Sequence, residues 1–301
     1  MSKLEEQLRR YAAPSSPTEQ AKQARAERMV RKALDASTAL RKVEFTVIPK
    51  GSYPNGTNVR VDSDVDIAVV QRRFFFSERD GERSELQAQL GYRSSFRYPG
   101  LDFRHEVEEA LRVRFGEDCD CTGKTAIAVR ESSARVSADV VPSFHFRRYS
   151  GTGFFQECDR GLTTRRTDGR WIVNYPAQQL SNGRGKNLAT LGQYKKLARI
   201  IKRVENDLVE GGTMGKLPSY FVECLVYNVP SSEFATFRLN PLTHNLRAAL
   251  AHIRRATATG GDSAEWTEVN GIKLLFGVGQ PWKPQQADRL AALAQQRFGL
   301  D

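Results

Sequence analysis

Two acidic residues that border an apolar run constrain the fold of this chain most. Asp64 and Asp66 are separated by Val65, and the apolar residues 67–70 follow them. Side chains alternate between the faces of a β-strand, so a strand here places both carboxylates on one face and Val65 and Ile67 in a core. Two carboxylates this close repel each other unless a cation lies between them. The pattern therefore predicts a sheet that carries a cation-binding pair of acids on its polar face.

The surroundings of this pair indicate which cation it binds. Mg²⁺ prefers hard oxygen ligands, usually takes one or two protein carboxylates, and completes its shell with water and substrate phosphates. Upstream of the pair, Gly51-Ser52 predicts a tight turn whose backbone can approach a phosphate closely. The combination predicts a Mg²⁺-dependent nucleotidyl-transfer site, in which Mn²⁺ is an alternative to Mg²⁺.

A third acid, Asp139, is expected to join this site. It lies in the β-prone stretch 135–141, and Pro142 is expected to end that strand because proline cannot continue a hydrogen-bonded ladder. An unpaired carboxylate in a buried strand is unfavourable, so Asp139 calls for a partner. It would hold one metal ion and could accept the proton of an attacking hydroxyl, while a second ion neutralises the triphosphate. The predicted catalytic and metal-binding residues are Asp64, Asp66 and Asp139.

The segment 51–67 resembles a family signature. It is similar to that of the cyclic GMP–AMP synthase/DncV-like nucleotidyltransferases, the bacterial CD-NTases, in the run Gly-Ser-Tyr-Pro-Asn-Gly-Thr-Asn-Val-Arg-Val-Asp-Ser-Asp-Val-Asp-Ile. The Asp-Val-Val-Pro at 139–142 is similar to the family's third-acid strand, and Leu-Pro-Ser-Tyr at 217–220 follows in the family's order. The resemblance extends from about residue 40 to about residue 285 and is closest to clade E, whose known products include pyrimidine-containing cyclic dinucleotides.

The resemblance implies an α/β (α+β) fold with two lobes. Residues 1–180 are expected to form a polymerase-β-like nucleotidyltransferase lobe with a mixed sheet, braced by a helix predicted over 17–37. Residues 181–301 are expected to form a helical lobe that closes the nucleotide cleft. The sequence also predicts a loop over 71–81, strands over 144–149 and 151–155, and a transition between the lobes at Ser-Asn-Gly-Arg-Gly, residues 181–185.

The resemblance also implies an activity. The chain is expected to condense nucleoside triphosphates into a cyclic di- or oligonucleotide and to release pyrophosphate. Such a product would be a second messenger of CBASS-type anti-phage defence that activates a separate effector protein. Two alternatives stay open, namely a terminal nucleotidyltransferase that acts on RNA or protein, and a non-catalytic nucleotide-binding module.

The helix predicted over 193–208 supplies candidate phosphate ligands. Apolar residues recur there at helical spacing, and Lys195, Arg199 and Lys202 lie on an adjacent face. A row of cations suits the β- and γ-phosphates of a nucleotide, and the family uses a lysine in this region. Lys202 is therefore favoured, with Lys195 second, and a solvated basic face is the alternative.

Five further residues complete the predicted nucleotide site. By resemblance, Gly51 and Ser52 contact the donor triphosphate and Ser219 also touches it. Tyr220 matches the aromatic residue that stacks on a base, and a core aromatic is the alternative. Asn174 offers both a donor and an acceptor, which could suit the Watson–Crick edge of uracil, and an ordinary turn or cap residue is the alternative.

Composition limits the partners of the chain. The 301 residues carry a formal net charge of +11, but the basic residues are spread along the sequence. Two anionic triphosphates already need several cations, so this charge implies no stable nucleic-acid partner. No apolar run is long enough to span a bilayer, which predicts no membrane partner, and the charged start predicts a cytoplasmic protein. The four cysteines form no disulfide pattern.

Overall fold

The computed structural model describes residues 2–59, 64–79, 100–150, 157–235 and 241–300. Within these ranges the α-helices are α1 (Lys3–Ala12), α2 (Pro17–Ala36), α3 (Ser52–Asn55), α4 (Gly100–Phe115), α5 (Pro176–Ala189), α6 (Gln193–Glu210), α7 (Ser219–Asn228), α8 (Pro241–Thr257) and α9 (Pro284–Phe298). The β-strands are β1 (Phe45–Lys50), β2 (Val65–Arg79), β3 (Cys119–Asp120), β4 (Ile127–Val129), β5 (Ala138–Ser150), β6 (Glu157–Arg165) and β7 (Trp171–Asn174). None of the helices in these ranges combines the length and the hydropathy needed to cross a membrane.

These elements form two compact units. The helical unit contains the described residues of Met1–Ser16, Asn55–Asp62 and Ala177–Asp301, and the sheet unit contains those of Pro17–Pro54 and Ser63–Pro176. This division differs from the predicted boundary at residue 180, because α1 and the short segment after α3 pack with the C-terminal helices. The predicted helix over 17–37 is observed as α2 and belongs to the sheet unit.

The strands of the described residues form one mixed sheet. Its order is β1-β2-β5-β4-β3, and β6 pairs with both β5 and β7. β2 and β5 run parallel, and the remaining pairs are antiparallel. One hydrophobic core joins side chains of β2 and β5 to those of α2 and α4. The mixed sheet and the separate helical unit confirm the predicted fold class.

The loop predicted over 71–81 is wrong where this segment is described, since β2 continues to Arg79. Its register against β5 shifts between Gln71 and Phe75, so the strand is irregular there. Beyond the shift, the ring centroid of Phe76 lies 5.2 Å from that of Phe144 and 4.8 Å from that of Trp171. These aromatic contacts hold the second half of β2 on the sheet.

The strands predicted over 135–141 and 144–149 are a single strand, β5, which Pro142 does not end. β4 pairs with β5 as far as Val140, and β6 begins to pair with it at Phe144. Pro142 lies in the gap between these two partners, so its missing N–H breaks no ladder on that side. The strand predicted over 151–155 lies outside the described residues.

In the helical unit, α6 contributes to a core that also includes α1, α7, α8 and α9. Residues 181–185, which were predicted to mark the transition between the lobes, lie within α5. Gly183 is buried, and a β-carbon there would lie 2.7 Å from Asn55 Oδ1. The glycine thus serves close packing within the unit rather than a turn.

Candidate active site

The predicted catalytic acids lie at the start of β2 and β5. Asp66 and Asp139 are register partners across this parallel pair, and Asp64 directly precedes β2. Val65 and Ala138, which neighbour the two partners along their strands, are buried. Alternation therefore directs the carboxylates of Asp66 and Asp139 to the face opposite the core, where they lie side by side.

The sheet row that holds these two acids continues to Lys50. Lys50 pairs with Asp66 between β1 and β2, and its Nζ lies 3.3 Å from Asp66 Oδ1. The side chains of Lys50 and Asp66 are 18% and 39% exposed, so solvent screens their attraction only in part. Lys50 was not among the residues predicted from the sequence. Its position before Gly51 was an available signal, because antiparallel pairing brings the end of β1 opposite the start of β2.

The Asp139 carboxyl has a raised pKa. Burial is the largest cause, the negative charges of Asp66 and Asp64 raise the pKa further, and Lys50 lowers it. The three acids are therefore close enough to repel one another. Among the described residues, no group of three or more His, Cys, Asp or Glu side chains forms a ready-made metal-binding cluster. The arrangement is thus a carboxylate pair with Asp64 at its border.

Gly51 packs directly against this pair. Its φ of +74° lies in the left-handed region that favours glycine. A β-carbon at this position would lie 2.3 Å from Asp66 Oδ2, so only glycine lets the backbone approach the carboxylate this closely. Ser52 then begins the single helical turn α3. The tight turn predicted at Gly51-Ser52 is observed beside the predicted acids.

Lys202 lies in the interior of the helical unit rather than on a solvated face. Its Nζ is 3.0 Å from Glu223 Oε2 and 3.1 Å from the backbone oxygen of Thr57. The side chains of Lys202 and Glu223 are each 1% exposed. Arg199 is buried as well, and its guanidinium donates to two backbone carbonyls. The adjacent face of α6 is therefore covered, and Lys202 already has a carboxylate partner.

Comparison with known proteins identifies the family of this chain. Residues 181–299 match the cGAS/DncV-like nucleotidyltransferase C-terminal helical domain. Over 287 residues the chain is 37% identical to the cyclic dipyrimidine nucleotide synthase CdnE of Legionella pneumophila, and the match covers 94% of this chain and 93% of that relative. The chain belongs to the cGAS/DncV-like nucleotidyltransferases.

Solved structures of cGAS/DncV-like nucleotidyltransferases share the fold. The CdnE cyclic dinucleotide synthase of Elizabethkingia meningoseptica, solved with GTP and Apcpp, has a TM-score of 0.79 at 31% identity and covers 98% of each chain. The CdnE c-UMP-AMP synthase of Rhodothermus marinus, solved with Apcpp and Upnpp, has a TM-score of 0.81 at 29% identity and covers 98% of this chain and 96% of that chain. The family and the enzyme class predicted from the sequence, a nucleotidyltransferase of clade E character, are confirmed.

Two predicted nucleotide ligands of this cGAS/DncV-like chain lie at the start of α7. Ser219 is its first residue, and the buried Ser219 Oγ has no hydrogen-bond partner within the described ranges. Tyr220 is engaged, since its hydroxyl donates to Glu268 Oε2 at 3.3 Å and its ring centroid lies 6.1 Å from that of Trp282. Burial raises the pKa of Tyr220 well above its ordinary value. These contacts fit the alternative of a core aromatic, and the stacking of Tyr220 on a base stays a prediction.

Lys195 and Asn174 are more accessible. Lys195 is half-buried, and burial lowers its pKa, whereas Glu223 raises it. Asn174 is exposed at the end of β7, where it pairs with Leu162 of β6. Glu223 itself was not predicted from the sequence. Its signal was a single acid in the otherwise apolar run of residues 221–226, which implies a buried carboxylate with partners of its own.

Proposed function

We propose that this chain condenses nucleoside triphosphates into a cyclic di- or oligonucleotide and releases pyrophosphate. The observation that carries the proposal is the side-by-side placement of Asp66 and Asp139 against Gly51, in a member of the cGAS/DncV-like nucleotidyltransferases. The support from relatives is that those matched over nearly the whole chain are named as cyclic nucleotide synthases.

The residues present fit Mg²⁺, with Mn²⁺ as an alternative. Burial first, and then repulsion by Asp66 and Asp64, raises the pKa of Asp139. A divalent cation relieves such repulsion, and carboxylate oxygens are the ligands Mg²⁺ prefers. Asp64, Asp66 and Asp139 would hold the metal. When bound, it would stabilise negative charge on the phosphates and make the attacking hydroxyl more acidic.

Residues of this protein would carry out the proton transfer and bind the triphosphate. Asp139 would accept the proton of the attacking hydroxyl. The hydroxyl oxygen bonds to the α-phosphorus while the bond to pyrophosphate breaks. Gly51 and Ser52 would bind the triphosphate through the turn. Ser219, whose buried Oγ has no hydrogen-bond partner within the described residues, stays the further phosphate ligand that the resemblance implies. Lys195 replaces the buried Lys202 as the basic phosphate ligand. After the first transfer, the linear intermediate turns over so that its other end becomes the donor.

The product contains at least one pyrimidine in this proposal. The relatives from L. pneumophila and R. marinus carry names of dipyrimidine and UMP-AMP synthases. The exposed amide of Asn174 offers a donor and an acceptor to the edge of uracil. The product would act as a second messenger that activates a separate effector protein in anti-phage defence.

Incubation of the purified protein with the four ribonucleoside triphosphates and Mg²⁺, without RNA, tests the proposal. We expect phosphatase-resistant cyclic products by mass spectrometry, and a fall in product when UTP or CTP is omitted. The control variant, Asp64→Asn with Asp66→Asn, should make none. Extension seen only with an RNA or protein acceptor would favour the terminal nucleotidyltransferase, and nucleotide binding without any product would favour the non-catalytic module.

A further inference from the structure

Residues 55–58, which we call the anchored segment, are held by a buried polar network of the helical unit. Asn55, Thr57 and Asn58 are all buried. Asn58 Nδ2 donates to Ser15 Oγ at 2.6 Å, and Arg199 donates to the backbone oxygen of Gly56 at 2.6 Å. Gly56 and Asn58 are therefore each hydrogen-bonded to another part of this unit.

Glu223 is at the centre of the network. Its Oε1 accepts from Asn55 Nδ2 at 2.5 Å, and its Oε2 accepts from the hydroxyl of Thr57 and from Lys202 Nζ. Lys202 donates in turn to the backbone oxygen of Thr57. A buried ion pair is rarely more stable than an apolar pair of the same size, because both charges lose their hydration. The network therefore fixes the position of the anchored segment rather than adding net stability to the fold.

The anchored segment is continuous with the turn proposed to bind the triphosphate. Asn55 is the last residue of α3, and Ser52 is the first. A single helical turn transmits the position of one end to the other, because its backbone dihedrals are set by the hydrogen bond that closes it. Gly183 completes the fit of Asn55, since a β-carbon there would reach to within 2.7 Å of its Oδ1.

We propose that Glu223 and Lys202 are positioning residues for the phosphate-binding turn. They fix Asn55 and Thr57, and through α3 they hold Ser52 in the conformation that receives a triphosphate. A turn fixed in advance loses less conformational entropy when the nucleotide binds. This role replaces the direct phosphate contact predicted for Lys202, and it rests on the proposed function for the identity of the ligand.

Substitution at Thr57 tests the hydroxyl contact with little change of volume. Thr57→Val removes the donor to Glu223 but leaves the pair of Glu223 and Lys202 intact, and Thr57→Ser keeps the donor. We expect kcat/KM for the nucleoside triphosphates to fall about 10- to 100-fold in Thr57→Val and to stay near the wild-type value in Thr57→Ser. Hydrogen–deuterium exchange of the amides of residues 52–57 should accelerate in the valine variant only.

Two glycines of α5 supply an independent pair of variants. Gly183→Ala pushes Asn55 away from Glu223, whereas Gly185→Ala adds a methyl group that meets nothing within 4 Å. Alanine has a higher helix propensity than glycine at both positions, so helix propensity alone predicts the same effect on the two variants. We expect Gly183→Ala to lower kcat/KM and to accelerate amide exchange over residues 52–57, and Gly185→Ala to change neither.

The exchange measurement separates this inference from the proposed function. If the wild-type protein makes no cyclic product, the proposed function fails, and faster exchange over residues 52–57 in Thr57→Val and Gly183→Ala still supports the positioning role. If both variants keep wild-type exchange there and a kcat/KM within about twofold of the wild type, the positioning role is refuted. Urea unfolding at the assay temperature verifies that each variant is folded.

Discussion

Gly51→Ala tests whether this glycine holds a catalytic carboxylate in place. The φ of +74° favours glycine, and the added β-carbon would lie 2.3 Å from Asp66 Oδ2, where ordinary contact begins at 3.4 Å. The alanine therefore has two separable effects. It strains the backbone, and it forces the Asp66 carboxylate to move by about 1 Å, from 2.3 Å to the 3.4 Å at which ordinary contact begins.

The two effects have different magnitudes and different readouts. A residue with a β-carbon in the left-handed region costs about 1–2 kcal/mol, which should appear in the free energy of unfolding. A displacement of about 1 Å at a reacting group can lower a rate about 100-fold, which corresponds to about 2.7 kcal/mol of activation free energy. We therefore expect Gly51→Ala to lose modest stability and most of its activity.

Gly169→Ala is the matched control in the same unit. Its φ is +86°, and a β-carbon there would meet nothing within 4 Å. It should lower the free energy of unfolding by a similar amount and leave activity unchanged. Urea denaturation measures the stability of both variants, and initial rates of pyrophosphate release measure their activity. Equal rates for the two variants would refute the claim that Gly51 positions Asp66.

Three further predictions concern charged side chains. Because the pKa of Asp139 is raised from 3.8 in the folded state, the folded protein keeps a proton that the unfolded chain loses, and stability falls as the pH rises through that window. In metal-free urea titrations, the free energy of unfolding of Asp139→Asn should therefore rise relative to that of the wild type between about pH 4 and about pH 7. A difference between the two proteins that does not change with pH would contradict this. Lys50→Met removes the ammonium group that lies 3.3 Å from Asp66 Oδ1 and competes with a cation, so calorimetry without nucleotide should show tighter Mn²⁺ binding than in the wild type. Lys50→Arg keeps the positive charge and should bind Mn²⁺ as the wild type does. Equal Mn²⁺ affinities of the two variants would contradict this prediction. Glu5 accepts three hydrogen bonds at the N-terminus of α8, so Glu5→Ala should cost about 2–3 kcal/mol in urea unfolding. The exposed neighbour Glu6, changed to Ala, should cost less than about 0.5 kcal/mol, and similar costs at both sites would exclude the capping role.

The pair of Asp66 and Asp139 shows what a local sequence pattern can and cannot predict. The alternation of acids and apolar residues around Val65 predicted which side chains are buried, because the pleat of a strand imposes a period of two. The register of Asp66 with Asp139 could not be derived in the same way. Parallel pairing joins residues that are distant in sequence, and a shift of one residue would turn Asp139 to the other face.

The helix α6 shows what such a pattern cannot predict. The apolar stripe predicted from helical spacing is buried, as observed for Tyr194, Leu197 and Ile201. The same spacing assigned Lys202 to an adjacent basic face, because periodicity identifies one buried face and is silent on whether a neighbour covers the next. The segment that covers Lys202 comes from residues 55–58, far from α6 in sequence.

By itself, the sequence determined that Asp64 and Asp66 border a buried strand, that a glycine turn precedes them, and that the chain is a mixed-sheet nucleotidyltransferase with a helical lobe. Only the tertiary structure decided that Lys50, Gly51 and Asp139 meet at Asp66, and that Glu223 takes Lys202 away from solvent. The physical reason is the separation along the sequence over which each kind of interaction acts. Backbone periodicity and turn chemistry act over a few neighbouring residues, whereas strand register and buried ion pairs depend on packing between elements that are remote along the chain.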